Sequence, residues 1–293
     1  MGACVGMGWR FGTLGLVVAS SLVPWGSAGS IPARGQQPEP IVRENVARDA
    51  ALEGADAMVG RALFLRGGYS GGELIYDAMG HVNGQPRQLD WTLAGITIEK
   101  IVRKSAGELQ LEGVRVAMRY NPEQHIFERH PLKDQKIKIK LGVNPDGHGF
   151  PEALAILFAV GIDPALQRAM PPYWRHYFSA QLGWPTDDLT GQTIFSGNVG
   201  GLQYPVAEKK PEPEFTTEAR QDHVKGSVQV KMVVGVDGVP QRIAIRQPLG
   251  YGLDARVVEN LARYRFKPGM KDGKPVAVEM VVNQTFDVYS GPR

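Results

Sequence analysis

Residues 226–278 read GSVQVKMVVGVDGVPQRIAIRQPLGYGLDARVVENLARYRFKPGMKDGKPVAV, and the changes of period along this stretch decide the fold around it. Val228, Val230, Met232 and Val234 share one face while Ser227, Gln229 and Lys231 share the other, the period-two pattern of a half-buried strand. Asp237-Gly238 supplies a turn. Ile243 and Ile245 then alternate with Arg242, Ala244 and Arg246 on a returning strand. Leu253, Val257, Leu261 and Tyr264 fall at i, i+4, i+8 and i+11, the inner stripe of one helix, which Lys267-Pro268-Gly269 is expected to stop. Asp272-Gly273 turns the chain into a last strand over 275–288. Its inward positions are Val276, Val278, Met280, Val282, Phe286 and Val288, and its outward ones include Ala277, Val281 and Thr285. A short helix over 216–223 precedes the first strand.

The order helix, strand, strand, helix, strand has a topological consequence. A hairpin makes the first two strands antiparallel, and the helix returns the chain so that the third strand pairs beside the first. The spatial order is then 2-1-3, with the last strand at an edge. That edge carries only Glu279 and Asp287 as charges and no outward lysine, so it is poorly guarded against pairing. Addition of an extended peptide is its natural use.

The same stretch resembles the C-terminal domain of the TonB energy-transducer family. The matching features are the opening at Gly226, the Asp237-Gly238 turn, the helix start Gly252-Leu253-Asp254, the run Tyr264, Phe266, Pro268, and Gly273 before the last strand. Tyr264 stands where the family often has Trp, and Phe215-Thr216 where it often has Tyr-Pro. The resemblance covers about 80 residues. It implies a domain that crosses the periplasm and captures a segment of a TonB-dependent outer-membrane receptor on its sheet edge. ExbB/ExbD-type proton-channel proteins would drive it from an inner-membrane anchor. The partner-binding edge would comprise Val276, Ala277, Val278, Glu279, Met280, Val281, Val282, Asn283, Gln284, Thr285 and Phe286. No catalytic role, metal or cofactor is implied.

Upstream, residues 201–213 alternate Lys, Glu and Pro and read as a stiff, solvated spacer. Between 57 and 200 the period-two runs ALFLR (62–66), ELIYD (73–77), LDWTL (89–93), ITIEKIVR (96–103), ELQLEG (108–113), VRVAMRY (114–120) and KIKIKLG (136–142) predict a curved antiparallel sheet with hairpins. Helical periods at 150–161, 163–169 and 171–182 predict covering helices. The fold class expected is α+β: a β-rich domain over 57–200 and a small α-β-β-α-β domain over 214–293 with a three-stranded antiparallel sheet. Residues 29–56 form a linker with a short helix at 41–53.

Residues 1–28 place Arg10, thirteen uncharged residues and then Gly26-Ser27-Ala28 in the order of a secretory signal. Two readings stand: cleavage after Ala28 into the periplasm, or an uncleaved inner-membrane anchor. Cys4, the only cysteine, lies in this leader, so no disulfide can form within the chain.

Other candidates resolve to structure. Gly68-Tyr69-Ser70-Gly71-Gly72 matches a nucleophile-elbow pattern, but a strand rather than a helix follows, which favours a hairpin turn. His125, Glu128 and His130 miss metalloprotease spacing by a residue. Asp146-Gly147-His148 lacks the acidic spacing of a calcium loop. Lys136, Lys138 and Lys140 read as a solvated face, and Tyr173, Trp174, Tyr177 and Phe178 as core.

The chain has 293 residues, 33 Lys and Arg against 30 Asp and Glu, and 43% apolar content. This balance excludes a disordered or fibrous protein, and a net charge of +3 is too small for a nucleic-acid-tracking surface. Residues 214–293 carry 12 basic against 9 acidic side chains, so the excess sits on the C-terminal unit and suits an acidic receptor segment. The function expected is an envelope protein of energy-transducer type that binds outer-membrane transporters by strand addition, supports transport and is no enzyme. The alternative is a periplasmic adaptor or ligand-binding protein that uses the C-terminal module only for docking.

Overall fold

Alternation of apolar residues between 62 and 142 builds a first sheet. The computed structural model describes residues 57–143, 150–182 and 193–287. The leader, the expected helix at 41–53, the 146–148 turn and Val288 lie outside the described residues. The strands β1 (Ala62–Leu65), β2 (Glu73–Tyr76), β3 (Gly95–Ser105), β4 (Glu108–Asn121), β5 (Ile126–Gly142) and β6 (Phe158–Ala159) lie in the order β2-β5-β4-β3-β1-β6. Every strand contributes to one apolar cluster, including Leu65, Tyr76, Ile96, Leu111, Ile139 and Phe158. One face of the sheet therefore packs on that cluster.

Three local expectations are corrected here. Leu89–Leu93 is not a strand, because the Asp90 carboxylate accepts the Thr92 amide at 3.0 Å and the Thr92 hydroxyl at 2.6 Å and so caps a 3-10 turn, Trp91–Leu93. ELQLEG and VRVAMRY are one strand, β4, whose pairing with β5 is irregular between Val114 and Val116. The glycine-rich turn around Ser70 is no hairpin. It joins β1 to β2, which lie four places apart, and β2 pairs in parallel with β5, so the sheet is mixed.

Three helices follow near their expected places: α1 (Phe150–Leu157), α2 (Pro164–Ala169) and α3 (Pro172–Leu182). Asp163 caps α2 by accepting the Leu166 amide at 2.7 Å and pairs with Arg66. Trp174, Tyr177 and Phe178 are buried and pack with Trp91 and Phe127, so the aromatic face of α3 is core.

The remaining strands are β7 (Ile194–Phe195), β8 (Leu202–Gln203), β9 (Val206–Lys209), β10 (Gly226–Val234), β11 (Pro240–Gln247), β12 (Arg265–Lys267), β13 (Gly269–Lys271) and β14 (Lys274–Phe286). The helices α4 (Thr217–Gln221) and α5 (Leu253–Leu261) lie among them. The expected 2-1-3 order is found as β11-β10-β14. The sheet is nevertheless six-stranded rather than three-stranded, because β13, β8 and β7 extend it from β14. The α5 helix ends at Leu261, before Lys267-Pro268-Gly269, and Arg265–Lys267 is already a strand paired with β9. The 201–213 segment is thus extended and exposed, and it is also paired: β8 with β13, and β9 with β12. Asn260 adds a side-chain bond from its Nδ2 to the Pro211 carbonyl at 2.7 Å.

The described residues all belong to one compact unit. A second apolar cluster takes Trp91, Met118, Leu132 and Trp174 from residues before 200 and Val228, Met232, Tyr251 and Leu253 from residues after it. The two sheets therefore share a core. Burial of each such side chain contributes roughly 1.5–3 kcal/mol.

Candidate docking edge

The position of β14 is set from one side by β10. The two strands pair without a break from Gly226 opposite Phe286 to Val234 opposite Val278. The α5 stripe read from the sequence, Leu253, Val257, Leu261 and Tyr264, is fully buried in the cluster that also holds Val228, Val230, Met232 and Val234. On the opposite face Gln229 Nε2 donates to Asn283 Oδ1 at 3.0 Å and Lys231 pairs with Glu279 at 2.7 Å.

The eleven expected edge residues fall into three groups. Val276 pairs with Gly269 of β13. Ala277 and Val278 pair in parallel with Ile194 and Phe195 of β7. Glu279 through Phe286 have β10 on one side and, among the described residues, no strand on the other. Within this stretch Val281, Asn283 and Thr285 are exposed, Met280, Val282 and Gln284 are half-buried, and Phe286 is buried against Phe215. Ala277 departs from its expected outward exposure. It is only 6% exposed, at the end of the face where β7 pairs with β14 and Val233 is buried as well.

The corner leading into α5 is joined to the first sheet by backbone bonds. The Tyr251 amide donates to the Met118 carbonyl and the Tyr120 amide to the Leu249 carbonyl, both at 3.0 Å. At Gly252 φ is 71° and a Cβ would stand 2.8 Å from Leu93 Cδ1, so the family-like glycine there serves both a left-handed turn and a close approach. The Gly252 amide donates to Thr92 Oγ1 at 2.8 Å, and the other carboxylate oxygen of Asp90 accepts Trp174 Nε1 at 2.7 Å. Asp254, fully buried, accepts the Leu249 and Gly250 amides at 2.9 and 2.7 Å. Burial, then the nearby Asp90 carboxylate, pushes the Asp254 carboxyl up to about 7. Burial also raises Asp90, against the hydrogen bonds from Thr92 and Trp174 that favour its charged form. The sequence singled out Asp254 but not Asp90, whose only signal was an Asp two residues before a Thr, a capping pattern.

The other motif positions have local tasks. Asp237 Oδ1 accepts the Val239 amide at 3.0 Å and shapes the β10–β11 turn. At Gly238 φ is 74°, its carbonyl accepts the Phe266 amide at 3.0 Å, and a Cβ would lie 2.0 Å from the Phe266 carbonyl oxygen. Phe266 is buried, Pro268 follows it out of β12, and Gly273 turns the chain into β14. Gly226 opens β10 opposite Phe286.

The remaining candidates are dispersed. His125 Nδ1 lies 3.0 Å from the Tyr120 hydroxyl, while His130 sits on β5 with its Nε2 3.8 Å from Glu128. No group of three metal-ligating side chains occurs among the described residues. The Ser70 amide donates to the Arg87 carbonyl at 2.8 Å in the β1–β2 loop. Lys140 pairs with Glu73 across β2 and β5 at 2.6 Å.

The family model of the Gram-negative bacterial TonB protein C-terminal matches residues 211–288. These residues are a TonB C-terminal domain. The match takes in α4, β10, β11, α5 and the whole of β14, so the candidate edge lies inside the TonB domain. The solution NMR structure of the Pseudomonas aeruginosa TonB CTD is similar at 21% identity, covering 34% of this chain and 98% of that one with a TM-score of 0.24. No curated protein matches the chain. No helix among the described residues is long and apolar enough to cross a membrane.

Proposed function

We propose that this chain is an envelope protein whose TonB domain takes an extended segment of an outer-membrane receptor as an added strand on β14. The observation that carries the reading is the one-sided pairing of Glu279–Phe286, where β10 satisfies one edge and the described residues leave the other open. An open strand edge presents alternate N–H and C=O groups at the spacing an incoming strand requires. Its length of eight residues suits a strand of ordinary size. Receptor capture of this kind supports transport across the outer membrane and needs no catalytic group.

The leader governs how force would reach the edge. A retained anchor places ExbB/ExbD-type proton-channel proteins as partners in the inner membrane, while cleavage after Ala28 leaves a periplasmic docking protein. Calorimetric titration of the full chain with a synthetic peptide copying a receptor's N-terminal plug segment tests the reading. Saturable binding, lost when prolines replace alternate peptide residues, is expected. Equal binding of the proline peptide would contradict strand addition, because proline cannot donate to a ladder.

A further inference from the structure

The start of the docking edge is already occupied by the chain itself. Val278 has Val234 of β10 as one partner and Phe195 of β7 as another. A strand has two edges, so β7 lies on the side opposite β10, the side proposed for the receptor segment. Among the described residues, only Ile194 and Phe195 pair there, in parallel, against Ala277 and Val278.

The contact is built into its surroundings. Ala277 and Val233 are 6% and 4% exposed although both occupy the outward face of the sheet, so that end is packed while the far end, with Thr285 and Asn283, is open. A cavity of about 530 Å³ adjoins the contact, lined by Phe195, Val236, Asp237, Gln241, Pro275 and Val276 among others. Downstream, the chain is tied to the TonB domain. Lys271 Nζ reaches the Gly200 carbonyl at 3.3 Å and β8 pairs with β13, while the Tyr204 hydroxyl donates to the Gly197 carbonyl at 2.7 Å within the segment itself. Gly197, with φ 69°, follows directly after Phe195 and Ser196, and the pairing with β14 ends at Phe195.

We infer that β7 is an internal stop on the docking edge. It fills the places at Ala277 and Val278, confines the partner's strand to Glu279–Phe286, and so sets the register in which that strand pairs. Register matters because a one-residue slip turns every side chain of the added strand to the other face. Backbone pairing alone does not choose among registers, and a fixed obstacle at one end does. The inference rests on the proposed docking at β14 and specifies where on that edge the receptor segment begins.

Two variants of the full chain test it in opposite directions. In a Cys4→Ser background, Ile194→Cys with Ala277→Cys places two thiols on partnered residues of neighbouring strands, within disulfide reach. The oxidised protein holds β7 in place. Ile194→Pro with Phe195→Pro removes both amides of β7 and releases it. The probe is a ten-residue synthetic peptide of a receptor plug segment, read by titration and by hydrogen exchange over β14.

The oxidised protein is expected to bind with affinity within about twofold of wild type and to protect only Glu279–Phe286. In the proline variant, the one amide of the Ala277–Val278 pair that faces β7 should exchange quickly without peptide and become protected with it, because successive amides of a strand point to opposite edges. The longer register should tighten binding of the ten-residue peptide by about three- to tenfold relative to an eight-residue one, a difference absent in wild type. Loss of binding on oxidation, restored by reductant, would show β7 to be a competitor that must leave, and would overturn the stop. An unchanged footprint in the proline variant would also overturn it. Should that variant fail to fold, the oxidised protein still decides between stop and competitor. Binding by none of the three proteins would overturn the docking reading and, with it, the stop.

Discussion

The Gly252 amide donates to Thr92 Oγ1 at 2.8 Å and so joins the first turn of the TonB-domain helix to a 3-10 turn 160 residues earlier in the chain. Thr92 in turn donates its hydroxyl to Asp90, which also holds Trp174. Four groups joined by hydrogen bonds thus cross the shared core between the two sheets, with Gly252, Thr92 and Trp174 buried and Asp90 half-buried. Thr92→Val keeps the shape and removes both bonds, leaving the Gly252 amide without its acceptor. The expected loss is about 1–3 kcal/mol of stability, and Thr92→Ser should recover most of it. Urea unfolding measures both, and an unchanged Thr92→Val midpoint would show the link to be idle.

Asp254, fully buried, and the half-buried Asp90 beside it predict an unusual pH dependence. Burial first and the Asp90 charge second hold the Asp254 carboxyl at about 7, above its unfolded value near 3.8. Between these values the folded state binds more protons than the unfolded one, so stability falls as pH rises from about 4 to about 7 and levels off above. Asp90 is raised as well and adds in the same direction. Glu259 also faces this pair, and its negative charge acts in the same sense on Asp90, while Tyr173 is held neutral nearby. Asp254→Asn should flatten the slope. The difference in denaturation midpoint between wild type and variant, followed from pH 4 to 8, is the direct check.

Two glycines separate backbone strain from steric clash. Gly238 and Gly273 share φ 74°, but a Cβ at Gly238 would meet the Phe266 carbonyl at 2.0 Å, whereas Gly273 has open space around it. Gly273→Ala should cost about 1–2 kcal/mol, the price of a left-handed L-residue. Gly238→Ala should cost clearly more, because the β10–β11 turn and β12 must part. Similar midpoints for the two variants in urea would contradict this assignment.

What the sequence made legible was periodic. The faces of β10 and the stripe of α5 follow from side-chain repeats of 2 and 3.6 residues, and Leu253, Val257 and Leu261 are buried as that stripe requires, while Tyr264 is buried just beyond the end of the helix. Short, non-local pairing was not legible. Two-residue strands such as Ile194–Phe195 have no period to detect, so nothing upstream marked Ala277 as covered. Asp90 was invisible for a related reason: its partners Trp174 and, through Thr92, Gly252 are set by tertiary packing. LDWTL alternates like a strand, yet the capping bonds of one carboxylate overrode that pattern. On the candidate edge, residue identity was readable, while its division among β13, β7 and open backbone depended on contacts distant in sequence.

The fate of the leader is a separate expectation. Mass spectrometry of the protein purified from the cell envelope should find either a start near Gly29 or an intact Met1. An N-terminus at Gly29 removes Cys4 and assigns the chain to the periplasm, whereas an intact leader in the membrane fraction supports a force-bearing role. A start within the described residues, beyond 57, would contradict both.

The central claim is that Glu279–Phe286 is the edge that receives a partner strand. Backbone amide NMR of the chain, with and without a synthetic receptor plug peptide, tests it most directly. Shift changes and new exchange protection are expected at alternate amides of Glu279–Phe286, with the β10 pairing intact. Saturable binding of the peptide that leaves these amides unmoved and perturbs another surface would contradict it.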